Sequence, residues 1–183
     1  MGKYKNIIIP TVVLTVIAGL VAALLAFTYE ATGVGNLGTG LTEEELEEYA
    51  PVVLPDSEGT LALYDYTGGE ADLLGVYVNE SKDGVALHIQ TAGYAGKSKP
   101  IEALIGLNQD GEIQGVAIVS CQETPGLGTK IQDEAYLKNY QGVSGSADSV
   151  DTITSATISS KALRDGVNFA LKEFEKLKGE VFA

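Results

Sequence analysis

The sequence of 183 residues contains one cysteine, Cys121, one histidine, His88, and no tryptophan. A single cysteine excludes a disulfide framework within the chain and an iron–sulfur cluster held only by its own thiolates. A single histidine likewise excludes a metal site built from several histidines. We therefore predict that the chain supplies no metal centre of its own.

Basic residues are also few, since 12 lysines and arginines stand against 25 aspartates and glutamates, a net charge of −13. Lys3 and Lys5 precede a long apolar run, and every acidic residue follows it. The part beyond the run therefore has 10 basic and 25 acidic residues, a net charge of −15. Such a surface repels a phosphate backbone, so we predict no nucleic-acid partner.

The apolar run Ile7–Phe27 has 21 residues and no charge. As an α-helix it would be about 31 Å long, close to the thickness of the hydrocarbon core of a bilayer. A cleaved signal peptide is the alternative, but its apolar core is usually shorter, about 7–15 residues, and no Ala-x-Ala site follows the run. Because Lys3 and Lys5 precede it, the positive-inside rule places the N-terminus in the cytoplasm. We predict a single-pass protein of the cell (inner) membrane, with residues 1–28 as N-terminal tail and anchor and an extracytoplasmic remainder.

A linker with a short helix is predicted over residues 29–58. Residues 32–40 contain four glycines, a composition typical of a flexible tether. Thr42 and Glu45 have the spacing of a capping box, which predicts a short surface helix that ends at Pro51.

Residues 59–183 have the pattern of a small α+β domain. Strand-like runs alternate with turns, and the Asp-Gly pair at 110–111 indicates a hairpin. These runs predict an antiparallel meander. The predicted strands are residues 60–67, 73–79, 84–91, 101–108 and 113–121. Residues 130–140 also have a helical pattern. From 158 to 178 apolar residues recur at helical spacing, which predicts a long helix that covers one face of the sheet.

Two loops of this domain could carry chemistry. The first, "ETPGLG" at 123–128, contains a Pro-Gly pair that suits the centre of a type II turn, and an ordinary strand-to-helix loop is the alternative. The second, "DTITSAT" at 151–157, precedes the long helix. Either Thr154, Ser155 or Thr157 caps that helix, or the Thr157 hydroxyl is a modification site beside first-turn N–H groups that favour an anion.

The order of an apolar anchor, "GYAG" at 93–96, "ETPGLG" and then "DTITSAT" followed by "ISS" resembles the FMN-binding domain family. Within that family the chain is similar to the G subunits of Rnf ion-translocating electron-transfer complexes. The C subunits of the sodium-pumping NADH:quinone reductase are similar but usually longer. The likeness covers nearly the whole chain, and its specificity comes from the pairing of the two loops.

The resemblance implies that FMN is joined to the Thr157 hydroxyl as a phosphoester by a flavin transferase. The residues implied in recognition by that transferase are Asp151, Thr154, Ser155, Ala156 and Thr157. The residues implied to bind the cofactor are Gly93, Tyr94, Glu123, Thr124, Pro125, Gly126, Leu127, Gly128, Thr154, Ser155, Ala156 and Ile158. Ser155 stands where the family usually has glycine, a difference that would matter if this position required a left-handed backbone.

The expected function is therefore that of an anchored electron carrier with covalent FMN, one subunit of an Rnf-type ferredoxin:NAD oxidoreductase coupled to Na⁺ or H⁺ translocation. Its expected partners are the other membrane and peripheral subunits of such a complex, and it should have no independent turnover. Two alternatives are a non-redox anchored assembly domain and an enzyme that binds FMN noncovalently.

Overall fold

A computed structural model of the chain describes residues 11–19, 21–22, 24, 40–55 and 60–182. The chain divides into two units, Met1–Gly40 and Leu41–Ala183. In the first unit the described residues have helical backbone at 11–19, 21–22 and 24. The rest of the predicted span, and the predicted tether up to residue 39, lie outside the described residues. Across the described part of the chain, no helix has the length and apolar character needed to cross a bilayer.

The second unit is built on one antiparallel sheet of five strands in the order β1-β2-β3-β4-β5, so the predicted meander is confirmed. Its strands are β1 (Leu61–Tyr64), β2 (Leu73–Asn79), β3 (Gly84–Thr91), β4 (Ile101–Asn108) and β5 (Ile113–Ser120). The predicted hairpin joins β4 to β5, because the Gly111 N–H donates to the Asn108 carbonyl at 3.0 Å. Gly111 has a φ of +80°, a conformation that glycine adopts without steric cost.

Among the described residues of this unit, three α-helices accompany the sheet: α1 (Glu43–Val53), α2 (Glu134–Leu137) and α3 (Thr157–Val181). The apolar stripe of α3 is buried against one face of the sheet, as predicted. Its members are Leu163, Val167, Ala170, Leu171, Phe174 and Leu177. The α+β class follows from this arrangement.

The region 130–140 is not one helix, as its pattern predicted. A 3₁₀ segment at Gly128–Gln132, the short α2 and a second 3₁₀ segment at Lys138–Tyr140 follow one another. The cause is Asp133, whose extended backbone, with φ −64° and ψ 125°, separates the first segment from α2. The buried Ile131, Tyr136 and Tyr140 nevertheless join the core on the α3 side.

Helix α1 differs from its prediction in two respects. It begins with the predicted capping box, in which the Thr42 N–H donates to Glu45 Oε2 at 2.8 Å, but Pro51 lies inside the helix and the helix ends at Val53. It is also not merely a surface helix, because Leu46 and Val53 are buried in a second core with Tyr77 and Leu104.

The sheet is therefore covered on both faces, by α3 on one and by α1 on the other. In β3, Ala86 belongs to the α1 core while Leu87 belongs to the α3 core, as the alternation of side chains along a strand requires. Burial on both faces explains why β3 and β4 are nearly continuous apolar runs.

Candidate functional site

The site begins at the first residue of α3, Thr157, whose side chain is exposed. The N-cap residue is Ala156, and the helix has no side-chain cap hydrogen bond. The interpretation of Thr154, Ser155 or Thr157 as a cap is therefore wrong. Thr157 Oγ1 contacts the carbonyls of Thr154 and Ile153 at 3.3 and 3.5 Å, which are long separations for an O–H donor. The hydroxyl is thus weakly held, beside first-turn N–H groups that no side chain satisfies.

Ser160 holds the loop that leads into α3. Its side chain is fully buried, accepts a hydrogen bond from the Ile153 N–H at 3.0 Å and donates to the Ala156 carbonyl at 2.8 Å. Two backbone groups of the loop are therefore fixed by one side chain from the first turn of the helix. The loop can present Thr157 in a defined place although its own side chains are small.

The "ETPGLG" loop forms the predicted type II turn. The Leu127 N–H donates to the Thr124 carbonyl at 3.1 Å, with Pro125 and Gly126 between them, and Gly126 has a φ of +73°. The Gly126 N–H also donates to Thr129 Oγ1 at 2.9 Å. The loop is therefore ordered by its own hydrogen bonds.

Glu123, at the start of that loop, is 4% exposed. Its carboxylate accepts hydrogen bonds from the N–H groups of Tyr94 and Ala95, at 3.1 and 3.0 Å, and from the hydroxyl of Ser159. The side chain thus lies between the 93–96 loop and the first turn of α3.

These segments enclose a cavity of about 460 Å³. Its lining comprises Tyr94, Glu123, Thr124, Leu127, Gly128, Thr154, Ser155, Ala156, Thr157, Ile158 and Ser159. A cavity of this size is in the range of small-molecule and cofactor sites, about 300–1,000 Å³. Three large side chains at the cavity remain exposed, namely Tyr94 at 69%, Leu127 at 49% and Ile158 at 58%. The cavity therefore offers apolar contact area that the polypeptide leaves to solvent.

Ten of the residues proposed from the sequence line this cavity, and four do not: Gly93, Pro125, Gly126 and Asp151. Gly93 lies behind it, because a Cβ there would be 2.5 Å from Glu123 Oε1 and 2.7 Å from Ile101 Cδ1. Asp151 is exposed. Ser159 was missed, although its place two residues after Thr157, in the first turn of the predicted helix, was a signal that could have found it. The proposed roles of these residues remain predictions.

Ser155 does not require the conformation that would favour glycine. Within the described ranges, Lys82 is the one non-glycine residue with a positive φ. The Ser155 hydroxyl instead accepts a hydrogen bond from Lys130 Nζ at 3.0 Å. A cation from the 3₁₀ segment is thereby placed at the loop that presents Thr157.

Comparison with known proteins points to the same part of the chain. The model of the FMN-binding domain family matches residues 96–172. The G subunit of an ion-translocating oxidoreductase complex from Shewanella piezotolerans is 30% identical over 155 residues, covering 77% of this chain and 69% of the relative. The protein of the same description from Methanosarcina acetivorans is 30% identical over 185 residues, covering 93% and 96%. The G subunit of the Na⁺-translocating ferredoxin:NAD⁺ oxidoreductase complex from Acetobacterium woodii is 31% identical, covering 58% of each chain.

Proposed function

Because the chain belongs to the FMN-binding domain family, and within it to the G subunits of ion-translocating oxidoreductase complexes, we propose that it is an electron-carrier subunit with FMN esterified to Thr157. The complex would be of the Rnf type, a ferredoxin:NAD oxidoreductase that moves Na⁺ or H⁺. A separate flavin transferase would attach the cofactor, and the remaining subunits would supply and remove electrons.

The observation that carries this proposal is the exposed Thr157 hydroxyl at the start of a 25-residue helix without a side-chain cap. An anion linked to this hydroxyl would lie at the positive end of the helix dipole, beside amide groups that need an acceptor. A threonine that served as an ordinary cap would use its oxygen for that purpose. The geometry therefore favours attachment over capping.

The cavity next to Thr157 supports the same assignment. Its lining combines apolar side chains with hydroxyl-bearing threonines and serines. This combination suits a flavin ring, which is largely apolar but carries polar edges. Tyr94, Leu127 and Ile158 would contact the ring, and Gly128 would let the backbone approach it. FMN would supply the electron-transfer chemistry, while these residues would orient it and limit its contact with water.

The membrane anchor is part of the proposal. The run 7–27 contains no charge, and its described large apolar side chains are all at least 49% exposed. These residues are Val12, Val13, Leu14, Val16, Ile17, Val21 and Leu24. Apolar residues in this number gain most free energy from lipid or from other membrane subunits. With Lys3 and Lys5 on the cytoplasmic side, the FMN domain would be extracytoplasmic.

Flavin fluorescence after denaturation tests the proposal. We expect protein purified from cells that contain its transferase to keep a fluorescent band in a denaturing gel. A flavin that is released by denaturation would instead identify a noncovalent FMN protein. A chain that never contains flavin would favour the assembly-domain alternative.

A substitution of Lys130 tests whether this cation contacts the phosphate of the attached flavin. We expect Lys130→Met to slow flavin attachment by a factor of about 1.4 to five, because a partly exposed charge contact contributes about 0.2–1 kcal/mol. The measurement is the initial rate of mass gain with FAD, Mg²⁺ and the transferase. Lys172→Met is the matched control, since Lys172 is an exposed cation on α3 about four helical turns beyond Thr157. Equal rates for the two variants would exclude Lys130 as a contact of the phosphate.

A further inference from the structure

Glu123 is the one buried acidic residue in the cavity wall, and a wall carboxylate would be expected to repel an attached phosphate. Its oxygens, however, are already occupied. Oε1 accepts the Ala95 N–H at 3.0 Å, while Oε2 accepts the Tyr94 N–H at 3.1 Å together with the Ser159 hydroxyl. Among the described residues, three donors and no acceptor contact this group, so both of its oxygens serve as acceptors.

The carboxylate and its donors come from three chain segments that are far apart in sequence. Tyr94 and Ala95 follow β3, Glu123 follows β5, and Ser159 belongs to the first turn of α3, two residues after Thr157. A single side chain therefore connects the 93–96 loop, the "ETPGLG" loop and the helix start that carries the proposed attachment residue.

The backbone around Glu123 makes room for this connection. A Cβ at Gly93 would be 2.5 Å from Glu123 Oε1, and a Cβ at Gly128 would be 2.7 Å from Glu123 Cβ and 2.8 Å from Ser159 Oγ. Real Cβ atoms do not approach other atoms so closely, so both positions require glycine as long as the carboxylate occupies its place. One glycine belongs to each loop that Glu123 connects.

We infer that Glu123 is a positioning residue, which acts through Tyr94, Ala95 and Ser159 to hold the cavity and the Thr157 hydroxyl in the geometry needed for flavin attachment. The inference deepens the proposed function and rests on it, since attachment at Thr157 is the event that the geometry serves. Glu123 itself would not contact the reacting atoms.

The variant Glu123→Gln separates this role from simple packing, because glutamine has nearly the same shape. An amide has one acceptor oxygen, so either the Ala95 N–H or the Tyr94 N–H must then face an NH₂ group. A partly buried donor without an acceptor is unfavourable, and we expect the 93–96 loop to detach. Ser159→Ala removes one of the three donors and leaves the two backbone contacts in place.

Two measurements on the full-length chain test the inference. The first is amide hydrogen exchange of the unmodified protein, in which Glu123→Gln should lose protection at Tyr94 and Ala95 while α1 and the central strands keep theirs. The second is the initial rate of attachment to Thr157 with FAD, Mg²⁺ and the transferase, which should fall by about tenfold or more, since a small misplacement of a reacting group has effects of this size. Ser159→Ala should be intermediate in rate.

The matched control is Glu134→Gln, which removes an exposed carboxylate that pairs with Lys138, away from the cavity. It should resemble the unsubstituted protein in both measurements. Unchanged protection at Tyr94 and Ala95 in Glu123→Gln would overturn the inference, and so would lost protection with an unchanged attachment rate. If the unsubstituted chain accepts no flavin at all, the proposed function fails, whereas the exchange result still reports whether Glu123 holds the loop.

Discussion

Thr157→Ala should eliminate covalent flavin completely. The substitution removes the oxygen to which the phosphate would be joined. The fold should tolerate the change, because Thr157 Oγ1 makes only two long contacts, at 3.3 and 3.5 Å. Intact mass after exposure to the transferase, FAD and Mg²⁺ gives the result directly.

Two further variants make this experiment specific. Thr152→Ala removes a hydroxyl from the same loop but not from the cavity, and should retain full attachment. Thr157→Ser keeps the hydroxyl and should be modified, although more slowly because the side chain is less restricted at χ1. Flavin that remained attached in Thr157→Ala would assign the linkage to another residue and would contradict the proposed site.

Gly106→Ala should destabilise the FMN-binding domain more than any surface substitution. Gly106 in β4 and Gly115 in β5 are register partners, and α1 crosses the sheet directly above them. A Cβ at Gly106 would overlap the Val53 carbonyl oxygen, and one at Gly115 would overlap that of Val52. Because backbone atoms cannot turn aside as a flexible side chain does, we expect a loss of about 3 kcal/mol in the free energy of unfolding.

Thermal unfolding followed by circular dichroism measures this effect, and Gly179→Ala is the control. Apart from its chain neighbours and the backbone of its own helix, no described atom lies within 4 Å of the position of a Cβ at Gly179, which is inside α3. Alanine there should stabilise the helix by about 0.5–1 kcal/mol. An unchanged unfolding midpoint in Gly106→Ala would mean that α1 does not pack closely on the sheet.

Much of the fold could be predicted from periodicity alone. Three of the five strands, 73–79, 84–91 and 101–108, coincide with their predicted limits, and the apolar stripe of α3 is buried as its spacing indicated. Both signals are local, because a strand alternates every second residue and a helix repeats every 3.6 residues. The capping box of α1 and the turn at Gly126 were equally local, and the structure contains both.

The errors occurred where local patterns compete with contacts made elsewhere. Pro51 predicts a helix end, but burial of Val53 against the sheet favours two more residues of helix. Residues 130–140 have helical spacing, yet the chain is divided at Asp133 while Ile131 and Tyr136 both reach the core. In each case, the free energy gained by burying side chains against distant parts of the chain outweighs a local helix preference of about 1–3 kcal/mol.

The strands, the long helix and the two loop motifs follow from residues that are close neighbours in the chain, and the acidic charge follows from composition alone. Tertiary structure decided that α1 covers the second face of the sheet, that Thr157 is left without a capping role, and that Glu123 reaches Tyr94 and Ser159 across separations of 29 and 36 residues. Such contacts form because whole surfaces pack against each other. The free energy of that packing depends on segments that are distant in sequence, so no short stretch of residues predicts it.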